Sequence, residues 1–555
     1  MRTSIKARSY RAGMSATSEA VPRAAVAGGL VLPTLAAGQF LMTLDSSVMN
    51  VSMATVASDL GTTITGIQTA ITLYTLVMAT LMITGGKIGS NIGRRRAFVI
   101  GCLIYGAGSL TTGLAPNLPV LIFGWSFLEG VGAALIMPAI VALVAGNFGP
   151  DQRPRAYGLV AAAGAVAVAV GPLIGGAATT YFSWRYVFIG EVVIVLAVLA
   201  LSRQIAEAPV EARSRLDVVG TVLSVLGLGL SVFGILRSSE WGWVQPKSGA
   251  SSLFGISLTF WCVVVGLLVV WVFFRWERRR VRTGRDPLVQ PDLLRNRRLD
   301  GGLVMFGFQY LLQAGVFFVV PLFLSVVLAL SAIDTGLRIL PLSVSLLAAA
   351  VGVPKIWPRV SPRRVTRVGV LLMLAGILVL MSGVDLDASA AVVLVPMLLV
   401  GLGIGALASQ LGAVTVSSVP DELSGEVGGL QNTATNLGAS IGTALAGSVL
   451  IGVLAASFLA GIEQNPAVPE EVTQQAHVQL AAGAPFISDA QLSEQLQEAG
   501  VSPTVSQELV SQNRASQVRA LDASLAVLAL LAVAALYFTS GIPTQQPAGD
   551  AASEE

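Results

Sequence analysis

The chain predicts an all-α polytopic membrane protein with fourteen transmembrane helices. Three observations predict it. First, 12% of its 555 residues are charged and 54% are hydrophobic, with a mean hydropathy of +0.76; average soluble domains carry roughly 25% charged residues. Second, fourteen apolar windows can be drawn along the chain, each close to the about 20 residues that a helix needs to cross hydrocarbon. Third, basic residues collect in alternate connections between those windows. This composition excludes a disordered chain and argues against a soluble enzyme. A net charge of +3 gives no reason to expect nucleic-acid binding. Cys102 and Cys262 fall in separate apolar stretches, and His477 is the single histidine. Neither a disulfide framework nor a Cys/His metal centre is expected, and no cofactor is implied.

The windows lie near 27–50, 66–86, 97–115, 119–142, 156–180, 186–203, 217–237, 254–274, 301–326, 336–354, 368–384, 390–416, 429–460 and 519–540. The first six form one six-helix bundle over 27–203, behind an N-terminal tail of 1–26. An inserted pair occupies 204–275, a basic loop 276–299, and helices 9–13 of a second bundle 300–460. Residues 461–518 are a polar connection, 519–540 the last helix, and 541–555 a C-terminal tail. The first window is long and thirteen more follow it, which argues against a cleaved signal peptide. Met14 is a second candidate start, which would make residues 1–13 dispensable.

The tail before the first window and the connections 2–3, 4–5, 6–7, 8–9 and 10–11 hold 28 of the 34 basic residues, nine of them arginines between windows 8 and 9. Positive charge marks the cytoplasmic side. Both termini are therefore expected in the cytoplasm of a bacterial-type plasma membrane. The 461–518 connection then falls outside, with seven acids and Pro466, Pro469, Pro485 and Pro503. It reads either as a small helical cap, with helices over 488–499 and 503–517 started by Ser488 or Ser502, or as a flexible acidic loop. Matching basic turns follow windows 2 (Arg94, Arg95, Arg96) and 10 (Arg363, Arg364). Such duplication is typical of secondary transporters.

Four segments carry the chemistry. Gly85-Gly86-Lys87-Ile88-Gly89-Ser90-Asn91-Ile92-Gly93-Arg94-Arg95-Arg96 combines glycines that let helix ends approach with arginines that anchor a turn at headgroups or acidic partners. Gly171-Pro172-Leu173-Ile174-Gly175-Gly176 sits inside an apolar window, where Gly-Pro bends a helix and small residues pack closely. Leu44-Asp45-Ser46-Ser47-Val48-Met49-Asn50 places a carboxyl within hydrocarbon, where an ionisable group is costly and functional by default. Trp125-Ser126-Phe127-Leu128-Glu129-Gly130-Val131-Gly132 places a second one in window 4.

These segments resemble the major facilitator superfamily, and within it the fourteen-helix drug:proton antiporters of the EmrB/QacA type. Gly86, Gly93, Arg94 and Arg95 match the family's loop pattern G-x-L-a-D-r-x-G-r-r/k, with Ser90 at the Asp position. The family's Asp stabilises one transport conformation, so that latch is in question here. Gly171, Pro172, Gly175 and Gly176 resemble the antiporter signature. Asp45 and Asn50 match the window-1 signature L-D-x-T/S-x-V-N-V. Window 4 departs from R-x-x-Q-G-x-G-a-A: Ser126 replaces a buried Arg and Glu129 replaces Gln. Coupling is then either rewired onto Asp45 and Glu129 or weakened. Trp184-Arg185-Tyr186-Val187-Phe188-Ile189-Gly190-Glu191 resembles W-R-W-x-F-x-x-N, with Glu191 for Asn. Glu191 reads equally as a functional acid or as a structural one paired with Arg185. The segments around Gly429–Gly442 and Gly336–Pro341 are similar to family signatures too.

The resemblance implies two six-helix bundles plus an inserted pair, alternating access about a central site, and no enzymatic activity. It implies a monomer that takes small amphipathic substrates, protons and membrane lipids as partners. Asp45 and Glu129 are the expected proton-coupling residues; Asp45, Asn50, Glu129, Trp125, Tyr74 and Gln431 are the expected substrate contacts. Three intramembrane acids against Arg338 as the one base favour cationic or zwitterionic substrates. A lipid or lipoconjugate exporter, a narrow-substrate antibiotic exporter, and least of all a membrane sensor or enzyme are the alternatives.

Overall fold

A computed structural model describes residues 29–545 apart from 63, 208–215, 248–250, 386–387, 421–422, 466–467, 470–472, 475 and 477–485. The N-terminal tail, residues 546–555, His477 and part of the 461–518 connection thus lie outside the described residues. Long apolar segments bounded by glycine, proline and polar turns wind into helices, because only internal hydrogen bonding satisfies a backbone in hydrocarbon. In chain order these are α1 (Val31–Asp59), α2 (Ile64–Ile92), α3 (Arg94–Gly113), α4 (Leu118–Asn147), α5 (Arg153–Tyr181), α6 (Arg185–Leu201) and α7 (Val218–Trp241). They continue as α8 (Leu258–Arg282), α9 (Arg297–Leu322), α10 (Ala332–Ile356), α11 (Pro362–Gly383), α12 (Leu394–Val416), α13 (Ser424–Glu463) and α14 (Pro503–Phe538). Among the described residues, twelve helices are long and apolar enough to cross a membrane; α1 and α3 are not among the twelve but pack into the same bundle.

The polar connection before α14 differs in one respect from the expectation. Asp489–Glu498 is a short helix capped by Ser488, whose side chain accepts from the Gln491 amide while Gln491 reaches back to the Ser488 amide. Residues 503–517, however, are no separate helix: Pro503 starts the 36-residue α14, which runs on without a break. Proline at the first helical position costs no hydrogen bond, and nothing downstream interrupts the run. Between α7 and α8 a two-residue hairpin pairs Ser252–Leu253 with Ile256–Ser257. Phe254 and Gly255 both take positive φ, as the tight turn requires.

The helices form two halves. In the first, α1 packs along α5, and α3 packs on α4 and α6. In the second, α9 packs along α13, α12 on α10 and α11, and α14 on α13 and α11. Two large apolar clusters fill the interior: one around Phe98, Tyr105 and Ile136 that continues across the seam to Val416, Val427 and Leu430, the other around Phe323, Leu346 and Leu525 in the second half. The halves meet along α2–α13 and α5–α10, with α4 against α13 and α5 against α12. α7 packs on both α2 and α13.

The seam between the halves is tightest toward the end where Arg94, Arg95 and Arg96 lie. There a Cβ on Gly86 would strike the Gly425 carbonyl, and one on Gly429 would lie 3.0 Å from Ile83 Cα and Met82 O. A Cβ on Gly158 would lie 2.7 Å from the Ala350 carbonyl, and one on Gly412 2.6 Å from the Tyr157 ring. At Gly86, Gly429 and Gly158 backbone meets backbone, and at Gly412 an aromatic ring lies on the backbone, because the glycine side chains are absent. Lys87 of α2 and Glu426 of α13 bridge the same seam at 2.7 Å, both buried. The Gln290 amide donates to the other oxygen of Glu426 at 3.1 Å.

Candidate functional site

Asp45 lies midway along α1, and its helix is fixed by the glycine-proline segment of α5. A Cβ on Gly171 would strike the Ser47 side chain, and one on Gly175 would lie 3.2 Å from Val48 Cα. Ser47 Oγ donates to the Val168 carbonyl at 3.3 Å. The α5 motif therefore clamps the turn of α1 that follows Asp45. Gly171 and Gly175 supply the clearance; the Pro172 side chain is outside the described residues.

α4 brings the next two groups. Its stretch Ile122–Glu129 is wound as a π-helix, carrying Trp125, Ser126 and Glu129. Such bulges re-aim side chains and recur at functional sites. Trp125 Nε1–H donates to Asp45 Oδ1 at 2.7 Å. Tyr74 of α2 stacks on Trp125, with centroids 5.1 Å apart and planes 6° from parallel. Ser126, at the position of the family's buried Arg, donates to the Ala70 carbonyl at 2.8 Å and ties α4 to α2. Gly108 of α3 leaves room for Glu129: a Cβ there would lie 2.6 Å from Glu129 Cγ and 2.7 Å from the Gly124 carbonyl.

α3 presents a polar stripe, Tyr105, Ser109 and Thr112, at successive turns of one face. Thr112 Oγ1 donates to Glu129 Oε1 at 3.2 Å. Ser109 Oγ and Tyr105 Oη donate to Glu191 Oε2 at 3.1 and 3.4 Å. Glu191 of α6 is therefore not the partner of Arg185. Arg185 instead pairs with Asp59, donates to the Ala115 carbonyl at 2.9 Å, and stacks 4.5 Å over Trp184.

Asp45, Glu129 and Glu191 thus converge, each with a carboxyl oxygen within 4.8 Å of the others, and all three are buried. One oxygen of each carboxyl is held by a neutral donor. The other, Asp45 Oδ2, Glu129 Oε2 and Glu191 Oε1, has no hydrogen-bond partner, and neither has the Tyr74 hydroxyl. Among the described residues no Lys or Arg bonds to any of the three. Two full charges at 4.8 Å repel by about 3 to 4 kcal/mol at an effective dielectric of about 20, so a triply ionised cluster is strongly disfavoured. The site can hold protons; of metal ions, an all-oxygen donor set suits only hard cations.

The sequence picked out Asp45, Glu129, Trp125 and Tyr74, and the structure brings these four together. Gln431 lies elsewhere: it is buried on α13 and donates to Thr415 Oγ1 of α12. The Asn50 side chain is outside the described residues. Arg338 is exposed near the start of α10 and is not a buried base. The loop motif is a turn in which Gly93 takes φ +104°, and Glu207 accepts from the Arg95 amide at 3.0 Å. Arg94 lies 3.5 Å from the Ala142 carbonyl, and Gly176 lies on α5 one turn beyond Pro172. Sequence reasoning missed the α3 stripe, legible as polar residues at positions 105, 109 and 112 of one face. It also missed Lys87–Glu426, whose partners are far apart in sequence.

Apart from the carboxyls, a groove of about 740 Å³ lies between α1, α5 and α10. Leu32, Phe40, Leu159, Val166 and Leu347 wall it, and Gln152 and Arg155 stand at the arginine-rich end.

The profile of the Major Facilitator Superfamily matches residues 35–244 and 218–443. The puromycin resistance protein pur8 of Streptomyces alboniger is 32% identical over 453 residues, covering 80% of this chain and 86% of that protein. The multidrug resistance protein Stp of Mycobacterium tuberculosis is 27% identical over 452 residues, covering 81% of this chain and 80% of that protein. The crystal structure of the human organic anion transporter MFSD10 shares the fold, with a TM-score of 0.55 and 11% identity over 92% of this chain and 99% of that one. With two halves meeting along paired helix seams and this match over most of its length, the chain belongs to the major facilitator superfamily of membrane transporters.

Proposed function

We propose that the chain is a secondary active exporter of amphipathic, cationic or zwitterionic compounds, driven by proton antiport with alternating access. The observation that carries this reading is the convergence of Asp45 and Glu129, buried and without a cation, inside one of two halves that close on each other at one end. A buried acid with a free oxygen exchanges a proton when a conformational change wets it. Resistance and multidrug proteins among the relatives support efflux as the physiological direction. In this reading all fourteen long helices cross a bacterial-type plasma membrane, the arginine-rich end is cytoplasmic, and the conformation is closed inward. The monomer is the working unit. Asp45 and Glu129 carry protons, and Trp125 and Tyr74 screen them from the interior of the protein's substrate path.

The test uses proteoliposomes loaded with a fluorescent lipophilic cation, with an inward proton gradient imposed. Wild type is expected to export the dye, and Asp45→Asn and Glu129→Gln to lose gradient-driven export. Export that ignores the gradient in wild type refutes proton coupling. A second reading, export of a lipid or lipoconjugate, is favoured by the groove between α1, α5 and α10, apolar along its length with Arg155 at one end. Gradient-independent movement of a labelled anionic lipid, lost in Arg155→Glu, would support it.

A further inference from the structure

Two of the three positions at which this chain departs from the family pattern, Glu129 and Glu191, meet beside Asp45, and the third, Ser126, lies on α4 three residues before Glu129. Ser126 stands for a buried Arg, Glu129 for a Gln and Glu191 for an Asn. The pattern would place one acid beside one base there. This chain places three acids and no base, with the carboxyl oxygens within 4.8 Å of one another. Ser126 does not replace the lost charge, since its hydroxyl is spent on the Ala70 carbonyl.

We propose that Glu191 joins Asp45 and Glu129 as the third acid of one proton-sharing site, so that the closed site holds two protons where Asp45 and Glu129 alone would share one, and two pass inward for each substrate exported. The inference rests on the antiport reading above. Its geometry is independent of that reading. Glu191 is held by Ser109 and Tyr105 through one oxygen, as Glu129 is by Thr112 and Asp45 by Trp125. Each carboxyl keeps its second oxygen buried and without a donor at hydrogen-bond geometry, and the Tyr74 hydroxyl lies beside Asp45.

Among the described residues, the other charged groups on the helices packed around the site lie at its two ends. Lys87 of α2 is bound to Glu426, and Arg94, Arg95 and Arg96 of α3 lie at the arginine-rich end. Arg185 of α6 is bound to Asp59 of α1 at the opposite end. With no positive neighbour in the middle, the closed site tolerates one negative charge at most. Asp45, with an indole N–H donor at 2.7 Å, is the carboxyl best able to bear it. Two protons then reside on Glu129 and Glu191, whose free oxygens Oε2 and Oε1 are the atoms left to hold them. Both protons enter from the wetted outer side and leave on the inner side, which balances charge and protons over the cycle.

The experiment measures electrogenicity in proteoliposomes, with the monovalent cation ethidium as the probe. Two protons inward against one ethidium outward moves one net positive charge inward. Wild type is therefore expected to accelerate ethidium efflux under an acid-outside pH gradient at zero potential. It is also expected to do so under an interior-negative potassium diffusion potential at equal pH. Glu191→Gln should retain the response to the pH gradient and lose the response to potential. Efflux in wild type that answers the pH gradient alone overturns this inference and leaves the antiport reading standing. Efflux that answers neither gradient overturns the antiport reading itself. Retention of the potential response in Glu191→Gln, or its parallel loss with the pH response, assigns Glu191 a structural role and refutes the proposal. The wild-type comparison decides the stoichiometry even where the variant fails to fold.

Discussion

Removing the charge of Glu426 should open the arginine-rich end. Lys87 Nζ lies 2.7 Å from Glu426 Oε1, with side chains 9% and 3% exposed. Breaking a buried pair by removing one partner costs ~3–5 kcal/mol, because the remaining ion stays buried without its counter-charge. Glu426→Gln keeps one acceptor oxygen, which can still serve Lys87, but sets its NH2 group against the Gln290 amide in place of the second oxygen; with that partial compensation a cost of at least ~2 kcal/mol remains. When the halves part at this end, Lys87 reaches water and the penalty disappears. The whole cost therefore weighs on the closed state alone. A difference of ~2 kcal/mol moves a two-state equilibrium roughly 30-fold toward the opened form. Spin labels at Asp151→Cys and Arg359→Cys, both exposed and on opposite halves, would report it as a longer distance in pulsed electron resonance, after replacement of Cys102 and Cys262. An unchanged distance distribution in Glu426→Gln refutes the argument. The double variant Lys87→Met/Glu426→Leu sharpens it: an apolar pair of similar size should leave the seam closed, and an opened seam there would show that the charges themselves hold it.

Two further outcomes follow from the same packing. In Gly108→Ala the added carbon meets Glu129 Cγ at 2.6 Å and the Gly124 carbonyl at 2.7 Å. Overpacking of this kind costs ~1–3 kcal/mol, so the melting temperature in detergent should fall and gradient-driven dye export should drop with it; an unchanged melting curve would refute the contact. Gly171→Ala should separate α1 from α5 by striking Ser47, and Gly171→Ala/Ser47→Gly should restore export, because the residues removed and added face each other. A double variant no better than the single one would show that the glycine serves flexibility instead.

The fold was legible in the sequence because hydrocarbon imposes it. A window of apolar residues has one way to satisfy its backbone, and the spacing of Arg94–Arg96 and Arg363–Arg364 exposed the repeat. Asp45 and Glu129 were legible for the same reason, since an acid in such a window has few structural excuses. Their mutual approach was not. Helices that are apolar on all sides carry no periodic signal of which face turns inward, so nothing in the chain related Asp45 to Glu129, and Glu191 stood undecided. What settles their meeting is local and easily overlooked: a π-wound turn in α4, clearance at Gly108, and hydroxyls at 105, 109 and 112. Gln431 stands apart from the carboxyls. A polar residue in an apolar window suggests a ligand contact, and here its amide donates to Thr415 on the neighbouring helix.

The position of α7 makes the two seams unequal. Because α7 lies on both α2 and α13, with Trp243 just beyond it bonded to Ser448, one flank of the molecule has its seam between the halves covered. The opposite flank, along α5 and α10, bears the open groove instead. A symmetric transporter could exchange amphiphiles with the bilayer on either side. On the export reading proposed above, the groove along α5 and α10 is where amphiphiles would pass to and from the surrounding lipid, and the inserted helices make the two flanks unequal in the plane of the membrane.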